Sequence, residues 1–222
     1  MTIFSTIIIN GVICSTLCCL ADRLVESRSL WTNRSYCFSC GKTLAWFELF
    51  PFISGLISYL RCRHCGRRFS SWPLFLLFEV FFPISLSAIY LLHGASLLLF
   101  VTYLLYFLAR EDAVSLSTHS DWLLFISLFC FQQKFWVDNN EAILPALVLL
   151  FLLAFFSYTK RMGAGDFPFF LLALSAFGPS RFLLFVFSAA VSALPLFLFS
   201  QAKKQPFLPS LLTAWLLLLL VN

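Results

Sequence analysis

The sequence predicts an all-α polytopic membrane protein with about eight transmembrane helices and one large cytoplasmic loop that carries a zinc knuckle. Three observations predict it. Of 222 residues, 61% are apolar and 11% charged, with 29 Phe, a balance for which a bilayer rather than water is the natural solvent. The apolar residues gather into runs near the roughly 20 that a helix needs to cross about 30 Å of hydrocarbon. The basic residues fall almost entirely on one side of the topology those runs define.

The first run, Ile3 to Ala21, lacks a basic leading region and a small-residue cleavage site, so it reads as a retained helix rather than a removed signal peptide. A hydrophilic insert follows at residues 22–72. Seven further apolar segments lie at roughly 73–92, 95–110, 122–137, 142–158, 167–179, 182–200 and 207–221, the third and sixth of the whole set being short. The chain thus divides into a first transmembrane helix (1–21), a cytoplasmic zinc-binding loop domain (22–72) and a membrane-embedded bundle (73–222). The Leu-rich run Leu211 to Leu220 needs no explanation beyond lipid contact or packing.

Orientation follows from the cations. With residues 22–72 in the cytoplasm, all of the 15 Lys and Arg residues except Lys134 and Arg181 lie on the cytoplasmic side. Both termini then face outward, and the loops near 111–121 and 159–166 lie inside. Topology accounts for the net charge of +5, so the charge gives no support to a nucleic-acid partner.

Four of the eight cysteines form Cys37-Phe-Ser-Cys40 and Cys62-Arg-His-Cys65, with 21 residues between the pairs. Each C-x-x-C turn can present two thiolates to one tetrahedral ion, and each is followed directly by glycine, Gly41 and Gly66. A reducing cytoplasm leaves thiolates for metal, against the alternatives of two disulfides or four unligated thiols. A site with four cysteine ligands is coordinatively full, so its role is structural. Zinc is the expected ion, with iron as the alternative, and His64 is an alternative ligand inside the second pair. Cys14, Cys18, Cys19 and Cys130 sit in apolar runs and read as small packing residues.

Ionisable residues at membrane depth are costly, which makes each one a functional candidate. Here they are Glu79, the cluster Arg110-Glu111-Asp112, Asp121 and Asp166. Asp166 ends the turn Gly163-Ala-Gly-Asp and opens an apolar helix; glycines two apart fit a close backbone approach just before a carboxylate, while a plain N-cap aspartate is the alternative. Catalysis by paired carboxylates needs a second one on the same membrane side, one ionised to activate water and one protonated to polarise a carbonyl. Asp112 and Asp121 both meet that requirement, and Glu111 is adjacent.

Together these residues resemble the bacterial type IV prepilin leader peptidases, membrane aspartic proteases that also include N-methyltransferases. The likeness runs through residues 15–79 and 159–170: Cys37-Phe-Ser-Cys-Gly, Leu44-Ala-Trp46, Pro51 and Ser54, then Arg61-Cys-Arg-His-Cys-Gly66 and Trp72-Pro73. The family's G-x-G-D motif is met by Gly163 to Asp166, which the resemblance implies is one catalytic aspartate. Asp112 occupies the place of the other, with His119 where the family has a proline and Asp121 as the next candidate. In the N-terminal motif Ser15 and Arg23 match, whereas Cys14 and Cys18 stand in place of Gly and Asn, and Glu79 lies six residues after Pro73 rather than three.

The resemblance implies cleavage of a short basic leader, after a glycine, from type IV prepilins or type II secretion pseudopilins at the cytoplasmic face of the inner membrane, with membrane lipid as surroundings. The zinc loop is then expected to position the leader. The family's second activity implies S-adenosylmethionine as a cofactor if it is retained. The alternatives are a catalytically impaired relative serving as a zinc-bearing assembly scaffold, and a small transporter, against which the edge placement of the aspartates and the lack of a paired inverted pattern count.

Overall fold

The computed structural model describes residues 2–29, 35–45, 48, 53–68, 70–130, 140–199 and 205–221. Its regular elements are helices, and the chain separates into two compact units, Met1–Gly94 and Ala95–Asn222.

In the first unit α1 (Thr2–Val25) lies against a second long helical segment built in three stretches. These are α3 (Trp72–Phe75), a wider π-helical stretch (Leu76–Phe81) and α4 (Phe82–His93), with the short α2 (Ile53–Ser58) preceding them in the chain. The widening has a local cause. Pro83 has no N–H to donate, and its ring crowds the preceding turn, so the backbone shifts register and Phe82 N–H reaches back to Leu77 O. One polar link fixes α1 on α4: Asn10 Nδ2, buried, donates to Ser87 Oγ at 3.0 Å, and that hydroxyl donates to Pro83 O at 2.7 Å. In hydrocarbon such a bond between helices sets register where apolar packing alone would slide.

In the second unit α5 (Leu97–Ser115) starts at Ser96, whose hydroxyl accepts from Leu99 N–H at 3.2 Å, and stops at Leu116, which is left-handed with φ 55°. It is followed by α6 (Trp122–Phe129), α7 (Asn140–Tyr158), α8 (Asp166–Phe199) and α9 (Leu208–Val221). The two apolar segments expected at 167–179 and 182–200 form two helices that meet within α8 without a loop, at a kink where Gly178 is non-helical (φ 77°, ψ 175°) just ahead of Pro179. Helices α6, α7 and α9 pack against α8, and α9 also packs against α5. The core forms around Trp215 of α9, fully buried, with Phe177 at 4.6 Å and Phe169 at 6.0 Å between ring centres. Its indole N–H donates to Thr102 Oγ1 on α5 at 3.0 Å. With Asp112 bonded to Leu208 at the other end, α5 and α9 run antiparallel.

Four described helices are long and apolar enough to cross a membrane by length and composition: Ile3–Val25, Trp72–His93, Glu141–Tyr158 and Asp166–Pro195. Helix α9 is apolar but shorter, and the segment expected at 122–137 lies partly outside the described residues. Helices of that length therefore account for four of the roughly eight crossings expected from run length. On α7 large apolar side chains such as Leu144 and Phe151 are exposed, the surface that a hydrocarbon solvent would cover.

Candidate active site and metal centre

Asp112 lies in the last turn of α5, beyond that helix's apolar stretch, and Asp166 is the first residue of α8. Both are almost fully buried, at 8% and 6% exposure. The fold brings them close enough for the charge of Asp112 to act directly on Asp166. Asp121, the other candidate, stands exposed at the start of α6.

The glycines of the Gly163-Ala-Gly-Asp turn make this approach possible. The Gly163 backbone bonds the Asp166 carboxylate, and a Cβ on Gly163 would lie 2.9 Å from Asp166 Oδ2. A Cβ on Gly165 would run into Thr118 Oγ1 and lie 3.1 Å from Ser120 Oγ. The loop that leaves Asp112 therefore closes onto the turn that delivers Asp166. Its closure is held by Glu111, buried beside Asp112, which accepts from the ring of the exposed His119 at 2.6 Å and from the His119 backbone N–H at 3.4 Å.

Two features of the site carried no sequence signal. Asp112 Oδ2 accepts the backbone N–H of Leu208 at 3.0 Å, a bond spanning 96 positions, from a helix that looked like lipid-facing leucine. Ser120, 1% exposed, directs its hydroxyl toward Gly165 and has no hydrogen-bond partner among the described residues.

In the first unit the four cysteines form two matching turns. Cys37 O accepts from Gly41 N–H and Cys37 N–H donates to Lys42 O; Cys62 O accepts from Gly66 N–H and Cys62 N–H donates to Arg67 O, all at 2.8–2.9 Å. Gly41 and Gly66 adopt φ of 70° and 68°, which a side chain would strain. Short antiparallel bridges, Tyr36 with Thr43 and Arg61 with Arg68, close each turn.

The sulfur atoms lie within 4.8 Å of one another, Cys37 to Cys65 at 3.8 Å and Cys40 to Cys62 at 4.0 Å. Those separations are far too long for disulfides and match the ~3.8 Å edge of a tetrahedron with ~2.3 Å metal–sulfur bonds. The residues therefore fit a metal ion such as zinc. His64 is exposed and outside the cluster.

The thiols are also electrically prepared. Burial pushes the Cys37 thiol up, but the backbone at Cys40 and Ser39 and the neighbouring thiols of Cys62 and Cys40 favour its anion and bring it down to about 6. For Cys65 the Arg67 backbone favours the thiolate, yet desolvation and the three neighbouring thiols outweigh it and hold it near 11. One thiolate is ready, and a metal ion would displace the remaining protons.

Residues 8–93 match the family described as the bacterial peptidase A24 N-terminal domain. The match lies within the first unit, Met1–Gly94. No curated protein and no solved structure matches the chain. Within the matched residues lie the cysteine cluster, Ser15, half-buried on α1, the buried Arg23, and Glu79, half-buried on the π-helical stretch. The stretch Trp46, Phe47 and 49–52, part of the likeness at the level of sequence, lies outside the described residues.

The packing around the Gly163-Ala-Gly-Asp turn gives a first expected result. Gly165→Ala places a methyl group against Thr118 and Ser120, so it should lower stability by about 1–3 kcal/mol and weaken any activity that depends on Asp166. Thermal unfolding in detergent checks it, with Ala164→Gly, at an exposed position, as the control.

Proposed function

We propose that this chain is a membrane aspartic endopeptidase that removes the short basic leader of type IV prepilins or type II secretion pseudopilins at the cytoplasmic face of the bacterial inner membrane. Asp112 and Asp166 are its catalytic pair, and a zinc ion held by Cys37, Cys40, Cys62 and Cys65 stabilises the hydrophilic loop. One observation supports the reading most: two carboxylates from different helices, both nearly buried, lie close enough to act on each other's charge where an apolar helix begins.

Two close carboxylates of low exposure cannot both ionise readily, so the pair keeps one proton. The ionised member takes a proton from water as the water oxygen attacks the scissile carbonyl carbon. The protonated member gives its proton to the carbonyl oxygen. When the tetrahedral diol collapses, the carboxyl that took the water proton gives it to nitrogen, the C–N bond electrons pass to nitrogen as it leaves as the new N-terminus, and the other carboxylate recovers a proton from the diol hydroxyl as the carbonyl reforms. The reading stops at cleavage, since no described feature supports S-adenosylmethionine binding.

Burial lifts Asp112 above the usual carboxylate range, the Leu208 and Phe207 backbone opposes that rise, and the charge of Glu111 adds to it. Cleavage that needs an ionised Asp112 therefore increases as pH climbs through this raised value. Glu111→Gln removes the added repulsion and should move the acid limb of the pH–rate profile to lower pH. Rates measured between pH 5 and 8 in membranes check the sign.

The test of the reading is a gel-shift assay of several prepilins mixed with membranes that hold the chain. A shift to the mature length is expected. Prepilins that all stay full length would leave only a metal-binding membrane scaffold.

A further inference from the structure

The sequence of α9 carries no ionisable side chain, yet its first turn meets the site through the backbone. Phe207 O accepts the first bonds of the helix, from Ser210 N–H at 3.0 Å and Leu211 N–H at 3.2 Å, which makes Phe207 the residue before the first helical position. Leu208 is then that first position, where an N–H has no partner within the helix, and Pro209 has no N–H at all. The unused Leu208 N–H points to Asp112 Oδ2 at 3.0 Å in a buried setting, at the positive end of a 14-residue helix. Asp166, in turn, lies in the first turn of its own helix α8 and accepts a bond from the Gly163 backbone of the turn before it.

From the Leu208 bond we infer that the first turn of α9 is a positioning element that holds Asp112 in place and favours its anion. Its effect on cleavage rests on the peptidase reading, whereas the hold on the anion stands on the geometry alone. An N–H bond to a carboxylate exists to full strength only while the carboxylate is charged, and the N-terminal end of a helix favours a negative group by the same sign. Other charges facing Asp112 are Glu111 on its own helix, with His119 bonded to it, and Asp166 on α8; α9 presents none.

The substitution that isolates this bond is Leu208→Pro. Proline is favoured at the first helical position, where its missing N–H breaks no bond of the helix, and Phe207 before it is already outside the helix. Leu208→Ala trims the buried side chain and keeps the amide, so it controls for packing. Two readouts are taken on the full chain in membranes. The carboxyl C=O stretch assigned to Asp112, by its loss in Asp112→Asn, is titrated by infrared difference spectroscopy, and prepilin cleavage is followed across the same pH range.

Leu208→Pro is expected to move the Asp112 titration and the acid limb of cleavage to higher pH together, lowering cleavage on that limb by roughly tenfold or more. Leu208→Ala should leave both midpoints in place. If the Asp112 band titrates in Leu208→Pro as in the wild type, the inference is overturned, whatever the cleavage rate. If the band moves but the wild type cuts no prepilin, the hold on the anion is upheld and the peptidase reading is what fails.

Discussion

Asp166→Asn and Asp112→Asn should each lower leader cleavage by at least about 10³-fold, because each removes one half of a paired acid and base. The exchange is nearly isosteric, so lost cleavage reports chemistry rather than a cavity. In either variant the amide can neither take a proton from water nor pass one to the carbonyl oxygen. The double variant should be little worse than either single one, as groups that act as a unit are not additive. Asp121→Asn, at an exposed position, should stay within about twofold of wild type if surface substitutions behave as usual. A quantitative time course of prepilin processing distinguishes these cases, and a dead Asp121→Asn with an active Asp112→Asn would reassign the pair.

Cys62→Ser should strip the metal and unfold the turns around it. Cys62 is the buried member of the cluster, 6% exposed, and its backbone closes the second turn through Gly66 and Arg67. A hydroxyl is a poor zinc ligand, and metal binding in small four-ligand sites contributes on the order of 10 kcal/mol of folding free energy. The chain is therefore expected to lose its stoichiometric metal by elemental analysis and to become sensitive to protease between residues 35 and 68. His64→Ala, whose ring is outside the cluster, should keep both metal and protection. Unchanged metal content in Cys62→Ser would refute the four-cysteine centre.

How much could be read in the sequence depended on how local the determining physics was. The C-x-x-C-G turns were legible because their geometry is fixed within six residues: the thiol spacing and the left-handed glycine leave little choice. Gly165 was legible as a close approach, though not what it approaches, since Thr118 and Ser120 are brought there by the packing of α6 against α8. The break between the two apolar segments was legible because Gly178 and Pro179 interrupt a helix, though not that the second helix starts at once with Pro179 in its first turn. Three things had no local trace. The π-helical stretch depends on Pro83 arriving after an already formed helix, His119 ties its loop down only once Glu111 is buried beside it, and the Leu208 N–H is a backbone group that every residue but proline possesses.

The most direct test of the central claim is the intact mass of a prepilin co-expressed with this chain or with its Asp166→Asn variant. The account predicts a substrate shortened by its basic leader, cut after the leader glycine, with the wild type and a full-length substrate with Asp166→Asn. A full-length substrate in both cases, or a leaderless one in both, would contradict it.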